Sequence, residues 1–242
     1  EEGRRILMKI IHIAGFSNTG KTTFIRELVP ELEKRGLTGV VKHIGHHGHS
    51  LPEGKDTTFF HEAGAAASAG IDAQKSVLIL KETDLERILA MFCDAGVQYA
   101  VIEGFKEKPY PKVVIGDVPG ATHVILTNPS VEEVLSHLGE FPDMVTREGF
   151  FREIEAGCDP GRAIQVSAIP TTIPGDQITR LERESGTLVR DLHEVSIRFA
   201  STTTPGARTL LVGICAPDAR TAIEAATRIN SLMLSPLPGY KE

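Results

Sequence analysis

Residues 15–22 read Gly-Phe-Ser-Asn-Thr-Gly-Lys-Thr and directly follow the apolar run Ile10-Ile-His-Ile-Ala14. A G-x-x-x-x-G-K-[ST] pattern between a buried strand and a helix restricts the fold sharply. The loop must wrap an anion with inward-turned backbone N–H groups, which needs glycines at its turns and a helix N-terminus behind it. Phe24-Ile-Arg-Glu-Leu28 starts such a helix. In this pattern Gly15, Ser17, Asn18, Thr19 and Gly20 shape the phosphate cradle. Lys21 reaches the terminal phosphates, and the Thr22 hydroxyl is a Mg²⁺ ligand.

Around that loop, short β-rich runs alternate with helical periodicity as far as residue 145, the signature of an α/β fold with a mostly parallel sheet and helices on both faces. Strands are expected at 10–14, 39–43, 76–80, 99–103, 112–115 and 123–127. Helices are expected at 21–35, 57–69, 84–95 and 131–138, the first and third with an apolar stripe on one face and the first stopping at Gly36. Residues 139–175 are dense in Gly and Pro, which places a domain edge near 150 to 165. The organisation expected is a nucleotide-binding domain over 8–150, a linker over 151–165 and a small α-β-β-α module over 166–242. That module has helix 176–191, strand 194–200, a turn through 204–206, strand 208–215 and helix 218–234. Such a unit is small for independent stability and is expected to pack on the first domain or on a second copy. Met8 is a candidate natural start, with residues 1–7 an extension outside the fold.

Composition excludes several classes. The chain has 242 residues, 41% hydrophobic and 24% charged, with a net charge of −6 and no Trp. These are the proportions of an ordinary globular protein. They supply no basic field with interleaved aromatics for nucleic acid. No stretch approaches the eighteen apolar residues of a membrane span, and no signal-peptide pattern opens the chain. Cys93, Cys158 and Cys215 are odd in number and far apart, an arrangement that argues against a disulfide framework or a thiolate zinc site and for a reducing cytoplasm.

Further chemistry gathers at the predicted strand ends. Tyr99-Ala-Val-Ile-Glu103-Gly104 ends an apolar strand in a carboxylate. Ligands of open parallel sheets lie beyond the carboxyl ends of the strands, so Glu103 is expected beside Lys21 and Thr22 as a Mg²⁺-linked acid rather than a solvated strand end. Gly104 permits close backbone approach. Lys106 and Lys108 add positive charge at the same mouth. Lys42, His43, His46, His47 and His49 follow the second strand. Imidazoles at this spacing suit a transition metal, an anionic substrate or a polar loop, with contact to a phosphorylated molecule the first choice. Asp56 is either a helix cap or an acid that orients Mg²⁺ or the attacking water. Asn128, before Pro129, suits a turn or a contact with a purine edge.

Taken together, GFSNTGKTT, VVKHIGHH, GKDTT, HEAGA, VIEGFK and PKVV, in this order over residues 8–145, resemble the molybdopterin-guanine dinucleotide biosynthesis protein B family. The resemblance implies a P-loop GTP-binding adapter with weak GTPase activity, typically dimeric, that assists attachment of GMP to the molybdenum cofactor. Its implied cofactors are GTP and Mg²⁺, with molybdopterin as a bound substrate and the guanylyltransferase of the same pathway as partner. By residue it implies phosphate and Mg²⁺ roles for Gly20, Lys21, Thr22 and Thr23, nearby acids at Asp56 and Glu103, and a groove facing Lys42 and His43. A second resemblance, carried by Arg208-Thr-Leu-Leu-Val-Gly-Ile-Cys-Ala-Pro, Ala222-Ile-Glu-Ala-Ala and Pro238-Gly-Tyr-Lys241-Glu, is to the carboxyl half of the large subunit of molybdopterin synthase. Leu234 stands where that family has an active-site lysine and Asp218-Ala219 where it has a His-Arg pair, while Lys241 is retained. The tail is therefore expected to serve docking or dimer contacts. Rival readings are a nucleotide-controlled metallochaperone using the His43–His49 cluster, a small-molecule kinase, and a non-catalytic scaffold.

Overall fold

Met8–Ala14 (β1) is apolar except at Lys9 and His12, and it is the strand from which the larger sheet is built in both directions. The computed structural model describes residues 7–45, 55–171, 175–204 and 207–234. After β1 come α1 (Lys21–Glu33), β2 (Thr38–Lys42), α2 (Asp56–Glu62), β3 (Ala67–Ile71), β4 (Ser76–Leu80), α3 (Leu85–Asp94), β5 (Tyr99–Glu103), β6 (Lys112–Val114), β7 (Val124–Thr127) and α4 (Val131–Ser136). They are followed by β8 (Asp143–Met144), α5 (Arg147–Ala156), β9 (Ala163–Thr171), α6 (Gly175–Leu188), β10 (Ser196–Thr204), β11 (Ala207–Ala216) and α7 (Ala219–Leu234).

The larger sheet runs β2-β5-β1-β6-β7, all parallel, with β8 added antiparallel at the start of β1. Alternation along β1 sends Ile11 and Ile13 to one face, against Ile25, Leu28 and Leu32 of α1 and Val134 of α4. Met8 and Ile10 go to the other face, against Leu85, Leu89 and Cys93 of α3. Leu28, Leu32 and Leu89 are fully buried, and burial of each such side chain stabilises the fold by about 1.5–3 kcal/mol. This is the expected α/β architecture, with helices on both faces.

Two expectations around residues 57–80 differ from what forms. The helix read over 57–69 stops at Glu62, because Gly64 takes φ +110, and Ala67–Ile71 becomes a strand. The strand at 76–80 forms, but it pairs antiparallel with β3 outside the parallel sheet. The connection over residues 72–75 explains this. Asp72 Oδ1 accepts from the N–H groups of Gln74 and Lys75, at 2.7 and 2.8 Å, closing a tight turn far too short for a parallel crossover.

The second sheet is antiparallel, in the order β10-β11-β9. Leu210, Val212 and Ile214 of β11 face α6 and α7, while Leu211 and Cys215 face Phe150 and Ile154 of α5. Residues 151–165, read as a linker, thus hold most of α5 and the start of β9. The breakers there are local punctuation. Thr146 Oγ1 caps α5 at the Gly149 N–H, 3.0 Å away, and Gly157 ends the helix. Pro170 lies in β9, an edge strand, where a missing donor is tolerated. The tail is consequently β-α-β-β-α rather than α-β-β-α. Leu7 also packs beside Val145 and Phe150, so it is part of the packing and not of a detached extension.

The cysteines require a correction as well. Cys158, just beyond α5, is disulfide-bonded to Cys215 of β11, with the Cα atoms 6.0 Å apart. Their separation of 57 residues hides this proximity, which arises only because α5 folds back across the sheet. Cys93 is free and buried. Among the described residues no helix is long and apolar enough to cross a membrane.

Candidate functional site

β1 ends at Ala14 and α1 begins at Lys21, so residues 15–20 must reverse direction at the carboxyl edge of the sheet. A side chain at Gly15 would overlap the Ile115 carbonyl. Gly20 takes φ +90 and Asn18 φ +63. Thr19 Oγ1 donates to the Phe16 carbonyl at 2.9 Å, and Lys21 Nζ donates to the same carbonyl. No side chain caps α1. Its first-turn N–H groups at Lys21, Thr22 and Thr23 thus face the loop as donors, at the positive end of a 13-residue helix. Behind the loop, Asn128 Oδ1 accepts from the Gly116 N–H at 2.6 Å, and Gly116 lies so close to Thr19 that a Cβ there would be 2.8 Å from Thr19 Cγ2. Asn128, with φ +49, therefore acts as a turn residue that braces the cradle.

The next strand over supplies the acid. Parallel register places Glu103 beside Lys42 of β2 and beside Ile13 of β1. Thr22 Oγ1 donates to the Glu103 carboxylate, with its two oxygens at 3.1 and 3.4 Å. Lys42 Nζ lies 3.0 Å from Glu103 Oε1 and 3.4 Å from Thr22 Oγ1. Glu103 and Lys21 are buried. Burial pushes the Lys21 ammonium below its ordinary pKa, with the neighbouring Glu103 charge opposing that shift. The donor set of a hydroxyl and a carboxylate fits a hard divalent cation such as Mg²⁺.

Past Glu103 the chain turns under strain, with Gly104 at φ +94 and Phe105 at φ +47. The His43 ring stacks on Phe105, centroids 4.5 Å apart, and the Lys106 ammonium lies 4.0 Å from the Phe16 ring centroid. A cleft of about 790 Å³ results, lined by the phosphate loop, the start of α1, Lys42, His43, Glu103 and the residues just after it. Gly15, Ser17, Asn18, Gly20, Lys21, Thr22, Thr23, Lys42, His43 and Glu103 all line it. Thr19 is tied into the loop beneath. Asp56 is exposed in the first turn of α2 and is not among the lining residues. Lys108 is engaged by Glu86 at 2.9 Å instead of facing the cleft. His46, His47 and His49 lie outside the described residues. Among those described there is no cluster of three His, Cys, Asp or Glu side chains able to hold a metal.

Two buried residues that sequence reasoning passed over support this wall. His12 Nε2 meets the Gly104 carbonyl at 2.6 Å, leaving Nδ1 without a partner. Burial is the main reason its pKa is lowered, and the Lys112 charge adds to the effect. Lys112, paired with His12 in register, donates to the Lys106 and Lys108 carbonyls at 2.9 and 3.0 Å. The available signal was polarity in the wrong place: a histidine inside an Ile-rich strand and a lysine heading Val-Val.

The fold and loop are those of the P-loop class. Within it, residues 10–135, more than half of the chain, match the family model described as molybdopterin guanine dinucleotide synthesis protein B, and the chain belongs to that family. It is 40% identical over 110 residues to a probable molybdopterin-guanine dinucleotide biosynthesis adapter protein of Bacillus subtilis, covering 44% of this chain and 64% of that one. It is 32% identical over 112 residues to a putative adapter protein of the same name from Methanocaldococcus jannaschii, covering 45% and 47%. The chain thus spans less than two thirds of the length of either relative. The crystal structure of MobB from Bacillus subtilis matches with TM-score 0.43 and 30% identity over 53% of this chain and 97% of that one.

Proposed function

We propose that this chain is a GTP-binding adapter with weak GTPase activity that assists molybdenum cofactor maturation, at the step that joins GMP to molybdopterin. The observation that carries the reading is the convergence of Lys21, Thr22 and Glu103 at the uncapped start of α1. Family membership and the names of the relatives support the pathway; the choice of GTP over ATP rests on the family resemblance.

In this reading the triphosphate lies along the loop, where the α1 N–H groups and the Lys21 ammonium offset its charge. Thr22 and Glu103 would hold Mg²⁺, which supplies charge neutralisation on the phosphate oxygens. Glu103 orients water; Asp56, exposed on α2 and outside the cleft lining, does not share that role in this arrangement. No arginine lines the cleft among the described residues, so hydrolysis by the isolated chain is slow. Lys42 and His43 meet the molybdopterin phosphate on the open side, and the guanylyltransferase docks there to receive it. A homodimer belongs to the same proposal. Its support is the exposed apolar set Phe59, Phe60, Ile71, Val77 and Leu78 on α2 and the β3–β4 hairpin. The tail is assigned to docking. Its Asp218 is a helix cap, accepting from the Thr221 N–H at 2.8 Å, which accounts for a carboxylate at that position.

Competition binding of GTP against ATP in millimolar Mg²⁺, repeated with Lys21→Ala, tests the proposal. GTP is expected to win in the wild type. Lys21→Ala is expected to weaken binding roughly 100-fold, the value of a charge-assisted phosphate contact. Equal affinity for both bases, or an unaffected variant, refutes it.

A further inference from the structure

We propose that Lys42 and the divalent cation compete for the same two oxygens, so that metal loading expels the Lys42 ammonium into the cleft. The inference rests on the nucleotide-site reading above and goes beyond it, by giving Lys42 a position that depends on the metal.

The geometry is a closed triangle. Lys42 Nζ is 3.0 Å from Glu103 Oε1 and 3.4 Å from Thr22 Oγ1, and Thr22 Oγ1 is 3.1 Å from Glu103 Oε1. These are the carboxylate and hydroxyl oxygens that a Mg²⁺ ion would use. Thr22 spends its proton on Glu103 and a lone pair on Lys42. A metal on Thr22 Oγ1 needs that lone pair, and a metal drawn to Glu103 meets a positive charge already in place. Two cations cannot share oxygens this close without strong repulsion, since the site is partly screened from water.

Burial decides which partner leaves. The Glu103 side chain is 9% exposed and is fixed by the β2–β5 register, whereas Lys42 is 51% exposed on an edge strand. A long, half-solvated lysine swings outward with little loss, because its ammonium regains water. A carboxylate held in the wall of the cleft cannot follow. Lys42 also lines the cleft beside His43, so the displaced ammonium stays within reach of an anion bound there. The site therefore presents its second cation to a phosphorylated molecule only after the metal has arrived. This orders the two binding events without any movement of the sheet.

The test is Mn²⁺ binding to the full chain without nucleotide, read by the loss of the free Mn²⁺ electron paramagnetic resonance signal. Three proteins are compared: wild type, Lys42→Met, which keeps the stem and removes the charge, and Lys42→Arg, which keeps the charge. The expected result is a Kd for Mn²⁺ that falls roughly tenfold in Lys42→Met, a conservative fraction of the repulsion expected at this separation. In Lys42→Arg it stays within about twofold of wild type. Equal Mn²⁺ affinity in wild type and Lys42→Met, weaker binding in Lys42→Met, or no binding in either overturns the inference. Binding of Mg²⁺-GTP to the wild type is measured alongside. Its absence would refute the nucleotide-site reading, whereas its presence with equal Mn²⁺ affinities refutes only the role of Lys42.

Discussion

His12 should give the chain a distinctive dependence of stability on pH. The imidazole is fully buried, its Nε2 is held by the Gly104 carbonyl, and its Nδ1 has no partner. Burial lowers its pKa from the ordinary 6.5, Lys112 lowers it further, and the Gly104 and Tyr110 carbonyls and Glu107 oppose the shift. Tyr110, whose ring meets His12 edge-on, is pushed up to about 12 by burial and stays neutral throughout this range. The sign follows from proton uptake. Below pH 6.5 the unfolded chain takes a proton at residue 12 while the folded chain resists it, so acid favours unfolding. The stabilisation is complete above pH 6.5, declines by up to about 1.4 kcal/mol per pH unit below it, and levels off once the folded pKa is passed. His12→Gln keeps an N–H donor for Gly104 and has no proton to gain. Urea unfolding at pH 7.5, 6.5 and 5.5 on both proteins isolates the term, because every other histidine cancels in the difference. The wild type should lose more stability than the variant below pH 6.5. Parallel curves would refute the burial argument.

The remaining predictions concern the backbone and the disulfide. Gly104→Ala must hold a Cβ at φ +94, 2.7 Å from His43 Cβ, and should cost about 2 kcal/mol. In a chain of this size that lowers the thermal midpoint by roughly 4–8 °C. Gly120→Ala, at φ +75 with open space around it, should cost less, and an equal loss in both would show that the His43 contact contributes nothing. Breaking the 57-residue bridge with Cys158→Ala should destabilise the protein by about 4 kcal/mol in the chain-entropy account. Reductant should lower the urea midpoint of the wild type alone, and a wild type indifferent to reductant contradicts the bridge.

Much of the strand-loop-helix around residues 10–33 was legible because its signals are local. A glycine pattern, an apolar run before it and a helical stripe after it lie within about 25 residues, so the strand, loop and helix could be read in order. Glu103 was found because a strand-end acid needs only strand direction. What failed was non-local. The helical content of His61-Glu-Ala-Gly-Ala lost to Gly64 and a hairpin partner that lies beyond an Asp72 turn. The Cys158–Cys215 bridge depends on α5 crossing β11, which no spacing rule reveals. Asp56 is the first residue of α2, one past the N-cap Lys55, which has no side-chain capping bond, and lies away from the cleft lining, because strand-end logic does not apply to a residue after a loop. His12 and Lys112 stood out only as polar residues in apolar strands, and their role was hidden for a related reason. Their partners are backbone carbonyls of a loop that carries no pattern.

That loop is where the separate parts of the site become one mechanical unit. β5 lies between β1 and β2, so each residue past its end meets a different neighbour. Glu103 meets Thr22 of α1 and Lys42 of β2. Gly104 meets His12 of β1 through its carbonyl and abuts His43 with its Cα. Phe105 stacks on His43, and Lys106 covers Phe16 of the phosphate loop. Four consecutive residues therefore touch the Thr22 hydroxyl, the buried histidine, the segment after β2 and the tip of the loop. A ligand that lifts Lys106 from Phe16 would pull on this run, whose Phe105 ring stacks on His43. Lys112 and His12 hold the same run through its Gly104, Lys106 and Lys108 carbonyls. Under the proposed function, occupancy of the cleft would reach the exposed His43 through these contacts alone, a path of a few ångströms from Glu103.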